Sequence, residues 1–288
     1  GKCTFESRVL KNYRPTAIVG SVWKLLRLAR RLAAEGIRPS ETSIERLVAG
    51  GESFAAESRS YLAEIWGCPV YNTYGSTEGT MCGECTQVAG LHVPEDLVHL
   101  DVYDPRMQSF VPNGECGRAV LTTLLPPGGK SGMLLINYDT EDTTVVLSRE
   151  KCGCGRTHMR IVNPEREAET LWVEGNPFNR VDIEASVFQQ ESMEFLTGEY
   201  ESFVTQRDLK SPVVLTVRLE CFDPDRCDRH LVEDRFTGRF LRHKPGLTRC
   251  FHDGTFSLGF EYAPVRGLEI FGHRGRQKRL IDRREVTP

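Results

Sequence analysis

Short apolar runs alternating with helical segments over residues 17–74 constrain this chain more than any other feature. Residues 17–20, 46–50 and 69–74 have the length and character of strands. Between the first two, Val22, Leu25, Leu26, Ala29, Leu32 and Ala33 recur at helical spacing, and Gly36 supplies a stop. Lys24, Arg27, Arg30 and Arg31 make the opposite, solvated face. A second helix, 55–66, closes at Gly67. Strands separated by helices pair in parallel, with the helices on the faces of the sheet. In such sheets ligands sit beyond the carboxyl ends of strands. Gly50-Gly51-Glu52 and the turn that follows Tyr74, Gly75-Ser76-Thr77-Glu78-Gly79, both lie at such ends.

After His92 the pattern changes. Residues 97–103, 117–125, 133–138 and 143–147 are strand-like runs separated by Pro, Gly and Asn turns. They predict an antiparallel, β-barrel-like subdomain. Beyond a boundary near 163–169, a strand at 213–219, a helix near 225–242 and a strand at 255–262 predict a small α+β domain. The expected class is therefore α/β. Residues 1–163 form part of a large domain, layered α/β to about residue 96 and β-barrel-like over 97–163. Residues 170–288 form the small C-terminal domain.

Composition narrows the function classes. At 39% hydrophobic and 27% charged the chain can bury a core, and no apolar stretch approaches a membrane span. A net charge of −3 gives no electrostatic footprint for nucleic acid. The basic tail, 274–284, has no aromatic interleaving to suggest one. Ten cysteines without a secretion-signal pattern predict a cytoplasmic protein with reduced thiols, some of them on metal.

Three segments carry chemistry in their residue types. Thr77 beside Glu78, just past a strand end, suits a phosphate and its magnesium, because Mg²⁺ is usually held by one or two carboxylates plus phosphate oxygens. Gly50-Gly51 lets backbone approach a flat ring closely. Cys152 and Cys154, with Cys85 and His92 upstream, make a Cys₃His set of the kind that closes a tetrahedral zinc site. Cys82 rivals Cys85 for that set, and scattered free thiols are the alternative to it. Cys3, Cys68, Cys116, Cys221, Cys227 and Cys250, like His99 and His158, are expected to be core or surface residues. A P-loop is excluded, since the spacing before Gly129-Lys130-Ser131 needs glycine where Leu124 stands.

The stretch V-Y-N-T-Y-G-S-T-E-G-T-M-C-G-E-C, residues 70–85, resembles the Y-G-x-[ST]-E motif of adenylate-forming enzymes. Its E-C, the following G-L-H and the C-x-C-G-R-T segment at 152–157 are similar to the phenylacetate–CoA ligase branch, which includes the coenzyme F-390 synthetases. The resemblance implies that Tyr74 stacks on adenine, Thr77 contacts phosphates and Glu78 holds magnesium. It makes Gly50-Gly51-Glu52 the adenine-contacting loop, and it favours one structural zinc on Cys85, His92, Cys152 and Cys154. Arg156 of the C-x-C-G-R-T segment is counted with the nucleotide-binding residues. Residues 138–142, Y-D-T-E-D, resemble the family's Y-R-T-G-D, so Asp142 is the carboxylate for the ribose hydroxyls. Asp139 and Glu141 replace the pattern's arginine and glycine.

Residues 165–175 resemble the G-R-x-D-D hinge between the large and small domains of the family. Arg166 matches the nucleotide-contacting arginine, Ala168 the hinge aspartate and Glu169 the second acid. Residues 275–282 resemble the G-K-x-x-R-x-x-D loop, with Arg276 at the catalytic lysine and Lys278 two residues on. No Ser/Thr/Gly-rich phosphate loop precedes Tyr74, so the resemblance begins partway into the family's length.

The resemblance thus implies an ATP- (or GTP-) and magnesium-dependent adenylate-forming enzyme. The segments at 71–85 and 134–142 are more similar to the F-390 synthetases, which transfer AMP or GMP to a hydroxyl of the deazaflavin coenzyme F-420 and release pyrophosphate. The second reading is an aryl-acid–CoA ligase. The third, from another class, is a truncated, non-catalytic nucleotide-binding protein. Expected partners are the nucleotide, a small-molecule acceptor (the deazaflavin or an aryl acid), and either a second copy or a chain that supplies the N-terminal part.

Overall fold

The structure is a computed structural model and describes residues 5–78, 80–124, 133–272 and 278–284. The chain divides into two compact units. The first comprises residues up to 54 together with 62–168; the second comprises 55–61 and the chain from 169 onward.

A helix, α1 (Phe5–Tyr13), precedes β1 (Ala17–Gly20), α2 (Val22–Ala34), β2 (Arg46–Gly50), α3 (Ala56–Trp66) and β3 (Val70–Gly75); all of these belong to the first unit except the first part of α3, up to residue 61. The apolar spacing of α2 is realised: Val22, Trp23, Leu25, Leu26, Ala29 and Leu32 are buried on one face. Strands β1, β2 and β3 pair in parallel, with Gly50 opposite Thr73. The turn after Tyr74 and the Gly50-Gly51 turn therefore lie side by side.

From β3 onward the sheet is antiparallel. It continues through β4 (Met81–Gly83), β5 (Leu91–His92), β6 (Val98–Asp104), β7 (Ser109–Phe110), β8 (Cys116–Thr123), β9 (Tyr138–Ser148), β10 (Arg160–Ile161) and β11 (Glu165–Arg166). The order is β1-β2-β3-β4-β5-β10-β9-β8-β6-β7, with β11 on β9. The expected barrel-like subdomain is thus part of one open, eleven-stranded sheet, and no closed barrel forms among the described residues. The reason lies in β4, β5 and β10. These short strands, too brief to stand out by alternation, carry the ladder from the parallel strands to the antiparallel ones. Leu91, Val93, Val98, Leu100, Val102, Ala119, Leu121, Val146, Met159 and Ile161 form a buried cluster that also encloses Cys82.

Of the run expected at 133–138 only Tyr138 is in a strand; it opens β9, which continues through the run expected at 143–147 with an irregularity. Arg118 faces Thr143 and Val120 faces Asp139, so residues 140–142 bulge opposite Ala119 alone. Thr140 Oγ1 donates to Ala119 O at 2.8 Å and accepts from Asp142 N at 3.2 Å, which holds the bulge.

The second unit contains β12 (Leu171–Val173), β13 (Asn176–Phe178), α4 (Arg180–Val187), β14 (Leu196–Thr205), β15 (Val213–Cys221), α5 (Arg229–His243), α6 (Pro245–His252), β16 (Phe256–Ala263) and β17 (Leu280–Asp282). Its main sheet has the order β16-β15-β14-β17. Helix α4 was not anticipated, although Asn179 and Asp182 form a reciprocal capping box at its start. On α5, Val232, Phe236 and Phe240 fall at i, i+4 and i+8 and are buried. Phe240 meets Phe178 and Phe256 on its other sides. Residues 55–61 group with this unit for a polar reason. Ala55 N and Ser58 Oγ both donate to Glu184, and Arg239 pairs with Glu57. Among the described residues no helix is long and apolar enough to cross a membrane.

Candidate nucleotide and metal site

Residues from three separate segments of the first unit converge around Asp142. Tyr74 Oη donates to Asp142 Oδ2 at 2.7 Å, and Arg166 Nε meets Asp142 Oδ1 at 3.0 Å. Arg166 is delivered by β11, whose pairing places it opposite Asp142, and its Nη1 donates to Thr140 O at 3.1 Å. Asp142 is only 8% exposed, so the carboxylate is compensated within the fold. Burial first, and donation to Asp142 second, push the Tyr74 phenol up, so it stays protonated and a donor.

The turn of Thr77 and Glu78 joins β3 to β4 as a hairpin, closed by Ser76 N donating to Thr80 O at 3.0 Å. Glu78 is held below the usual carboxylate range, chiefly by its own backbone amide and further by the Ser76, Thr77 and Tyr138 hydroxyls, against partial burial. Tyr138 Oη reaches Glu78 Oε1 at 3.4 Å. An ionised carboxylate among hydroxyls suits a magnesium ion that keeps phosphate oxygens as its other ligands.

Both glycines of the neighbouring turn have local reasons. A Cβ on Gly50 would collide with the side chain and carbonyl of Thr73, and Gly51 has φ +89° with open space around it. Glu52 follows in the same turn.

The replaced positions of 138–142 also find explanations. Asp139 Oδ2 pairs with Arg118 Nη1 at 2.9 Å, and Arg118 Nε pairs with Glu167 at 2.6 Å. The pattern's arginine is thus met by an arginine on the adjacent strand. Arg118 was not singled out in the sequence; the acid at 139 was the signal for it. Glu141 has φ 59°, in the left-handed region, where the family pattern has glycine. A side chain there costs roughly 1–2 kcal/mol, while glycine adds up to about 1 kcal/mol of unfolded-state freedom. Glu141→Gly should therefore raise stability by roughly 0.5 kcal/mol, or about 1–2 °C in Tm. A fall in Tm would mean that the Glu141–Arg166 pair at 3.5 Å outweighs the backbone term.

The second cluster is Cys85, His92, Cys152 and Cys154, whose ligand atoms all lie within 4.8 Å of one another. Cys85 Sγ and Cys152 Sγ are 3.8 Å apart, and Cys154 Sγ and His92 Nε2 are 3.6 Å apart. Tetrahedral zinc with bonds of about 2.3 Å to sulfur and about 2.05 Å to nitrogen has edges of about 3.8 and 3.6 Å. His92 Nδ1 faces His158 O at 3.3 Å, which leaves Nε2 as the ligand atom. Burial lowers the His92 pKa and keeps the ring neutral. The Arg156 backbone amide lowers Cys154 to about 7, whereas burial raises Cys85. A bound cation would override the latter, because a coordinating thiol is deprotonated outright.

Cys82, the rival, is sealed in the apolar cluster and pushed up to about 12 by burial. Cys82 lies within β4, whereas Cys85 lies two residues beyond the end of that strand, beside Cys152. Arg156, expected among the nucleotide-binding residues, lies beside this cluster, its Nη1 3.9 Å from Cys154 Sγ. Gly155, at φ +93°, lets the loop turn so that Cys152 N meets Arg156 O at 2.9 Å. Of the residues expected in the catalytic loop, Lys278 is exposed, and Arg276 lies outside the described residues. Neighbouring Arg279 is 1% exposed and bound to Glu199 at 2.6 Å, a packing role.

No family model matches the chain. It is 33% identical over 157 residues to a phenylacetate–coenzyme A ligase of Thermus thermophilus, covering 53% of this chain and 34% of that protein. With the phenylacetate–coenzyme A ligase of Pseudomonas putida it shares 25% identity over 239 residues, 81% of this chain and 52% of the relative. The chain spans about half the length of these curated relatives or less. A solved 2-hydroxyisobutyryl-CoA ligase in the postadenylation state, in complex with R3-HIB-AMP, superposes with TM-score 0.70 at 19% identity, covering 96% of this chain and 56% of that one. An anthranilate CoA ligase, AuaEII, in complex with anthranoyl-AMP gives TM-score 0.57 at 16% identity, covering 89% and 48%.

Proposed function

We propose that this chain, which has the fold of the adenylate-forming ligases and is related in sequence to phenylacetate–coenzyme A ligases, works in an enzyme that activates an aryl or similarly small carboxylic acid with MgATP and passes the acyl group to coenzyme A. The observation that carries this reading is the convergence of Tyr74, Asp142 and Arg166, from three segments that match the family's motifs in the family's order. In the first step a carboxylate oxygen of the acid would attack the α-phosphorus of ATP, and pyrophosphate would leave. In the second the thiolate of coenzyme A would attack the acyl carbon, and AMP would leave. Asp142 would accept the ribose hydroxyls, Tyr74 would lie against the adenine beside Gly50-Gly51-Glu52, Thr77 would contact phosphate, and Glu78 would hold magnesium.

The relatives support this reading over the deazaflavin one. Their names are phenylacetate–coenzyme A ligases, which replaces the F-390 synthetase and coenzyme F-420 expectation. Zinc on Cys85, His92, Cys152 and Cys154 would be structural, because four protein donors leave no position for water. The test is pyrophosphate release from MgATP with phenylacetate and other aryl acids, followed by acyl–CoA formation. Equal amounts of AMP and acyl–CoA are expected; AMP transfer to a deazaflavin hydroxyl with no acyl–CoA would reinstate the earlier reading. Asp142→Ala should weaken ATP binding by about 1.5–3 kcal/mol, the value of charge-assisted hydrogen bonds. Calorimetry that finds unchanged ATP affinity would remove Asp142 from the nucleotide site.

A further inference from the structure

The carboxylate of Asp142 is already half engaged. Tyr74 Oη donates to Oδ2 at 2.7 Å and Arg166 Nε to Oδ1 at 3.0 Å. A carboxylate offers about four lone-pair sites, two on each oxygen. One site on each oxygen is taken, and one on each stays available. A vicinal diol presents two hydroxyls to such a pair. The carboxyl torsion of aspartate is soft, so a single donor on one oxygen would let the group swing. A second donor on the other oxygen stops it. Tyr74 can act as that stop because it is anchored twice over. Its backbone is in β3, with Tyr74 opposite Cys82 on β4, and its ring packs against the apolar cluster of the first unit. Its burial also keeps the phenol protonated, as a donor must be. Arg166 is fixed independently, by the β11–β9 pairing and by Thr140 O.

We propose that the hydroxyl of Tyr74 is a positioning group that locks the Asp142 carboxylate against rotation, so that the two remaining lone pairs select a ribose 2′,3′-diol. The residue then has two separable parts: a ring against which a base can lie, and a hydroxyl that makes the site read the sugar. This inference rests on the nucleotide reading above. A purely structural tie between β3 and β9 would stabilise the fold without discriminating between sugars.

Tyr74→Phe separates the two parts, since it keeps the ring and removes the hydroxyl. Binding of ATP and of 2′,3′-dideoxyATP to the purified protein is compared by calorimetry. The unmodified protein should prefer ATP by roughly tenfold or more, the loss expected for hydrogen bonds to a charged group. In Tyr74→Phe the preference should fall to within about threefold, chiefly through weaker ATP binding. An unchanged preference in Tyr74→Phe overturns the inference while leaving the nucleotide reading intact. No preference in the unmodified protein overturns it as well. Absence of ATP binding by the unmodified protein overturns the nucleotide reading and this inference together. A double-mutant cycle with Asp142→Ala gives a second measurement. Tyr74→Phe should have no further effect on ATP affinity once Asp142 is gone, and a full additive loss would place the action of the hydroxyl elsewhere.

Discussion

Cys152→Ser should strip the protein of zinc and cause a large loss of stability. Two edges among the four donor atoms already match a tetrahedral site, 3.8 Å between Cys85 and Cys152 and 3.6 Å between Cys154 and His92, and all four lie within 4.8 Å of one another. Serine is a poor substitute: its hydroxyl is not deprotonated at neutral pH, and oxygen is a harder donor than zinc prefers. Apparent binding energies of about 10–16 kcal/mol in small zinc modules set the upper bound. The loss here should be several kcal/mol, because the surrounding strands contribute stability of their own. The purified protein should contain about one equivalent of zinc, and Cys152→Ser less than about a tenth. Chelation should lower the Tm of the unmodified protein to that of Cys152→Ser and leave the variant unmoved. Serine at Cys116, which is exposed and apart from the cluster, should change neither zinc content nor Tm. The site is excluded if the native, unmodified protein holds almost no zinc and all ten of its thiols titrate freely.

The second large effect lies in the other unit. Glu199→Ala should lower stability by about 3–5 kcal/mol, the range for leaving one partner of a buried ion pair uncompensated. Glu199 Oε2 and Arg279 Nη2 are 2.6 Å apart, with side chains 0% and 1% exposed. Arg279 also donates to Tyr200 O at 2.8 Å, and its own carbonyl accepts from Ser202 N and Oγ. Through these bonds it ties β17 to β14, so the loss of Glu199 would disturb the pairing of the last strand. Denaturant unfolding should show a lower midpoint for Glu199→Ala. Replacing both Glu199 and Arg279 with methionine should recover much of the loss, because no charge is then left buried. A loss below about 1 kcal/mol in Glu199→Ala would show that water reaches Arg279 and compensates it.

Much of the molecule was legible because its signals are local. The apolar spacing of 22–33 specified α2, since helix periodicity and the burial of one face are the same fact. Glycine and charged turns marked the ends of β2 and β3, and parallel order followed from the intervening helices. The Y-G-S-T-E, Y-D-T-E-D and C-G-C-G-R-T segments named Tyr74, Glu78, Asp142 and the cysteines without any knowledge of their distances. Glu141 was visible as a departure from glycine, and the structure supplies its meaning, a left-handed backbone in a bulge.

Register and long-range pairing were decided only in three dimensions. Nothing local distinguishes Cys82 from Cys85. Their places in the fold do: Cys82 lies within β4 and faces the apolar cluster, whereas Cys85 lies two residues past the end of that strand, beside Cys152. Arg156, two residues from Cys154, lies with its loop beside the Cys/His cluster. Arg118 meets Asp139 and Glu167 only because β8 lies beside β9. The open sheet depends on two- and three-residue strands that are too short to show alternation, and the burial of Arg279 depends on Glu199, 80 residues away. The sequence by itself determined which side chains are candidates for chemistry and where strongly patterned segments such as α2 and β1 to β3 lie, because propensity and periodicity act over a few residues. Only the tertiary structure decided which of those side chains share a site, because strand register sets which distant residues face each other, and it is fixed by the packing of the whole sheet.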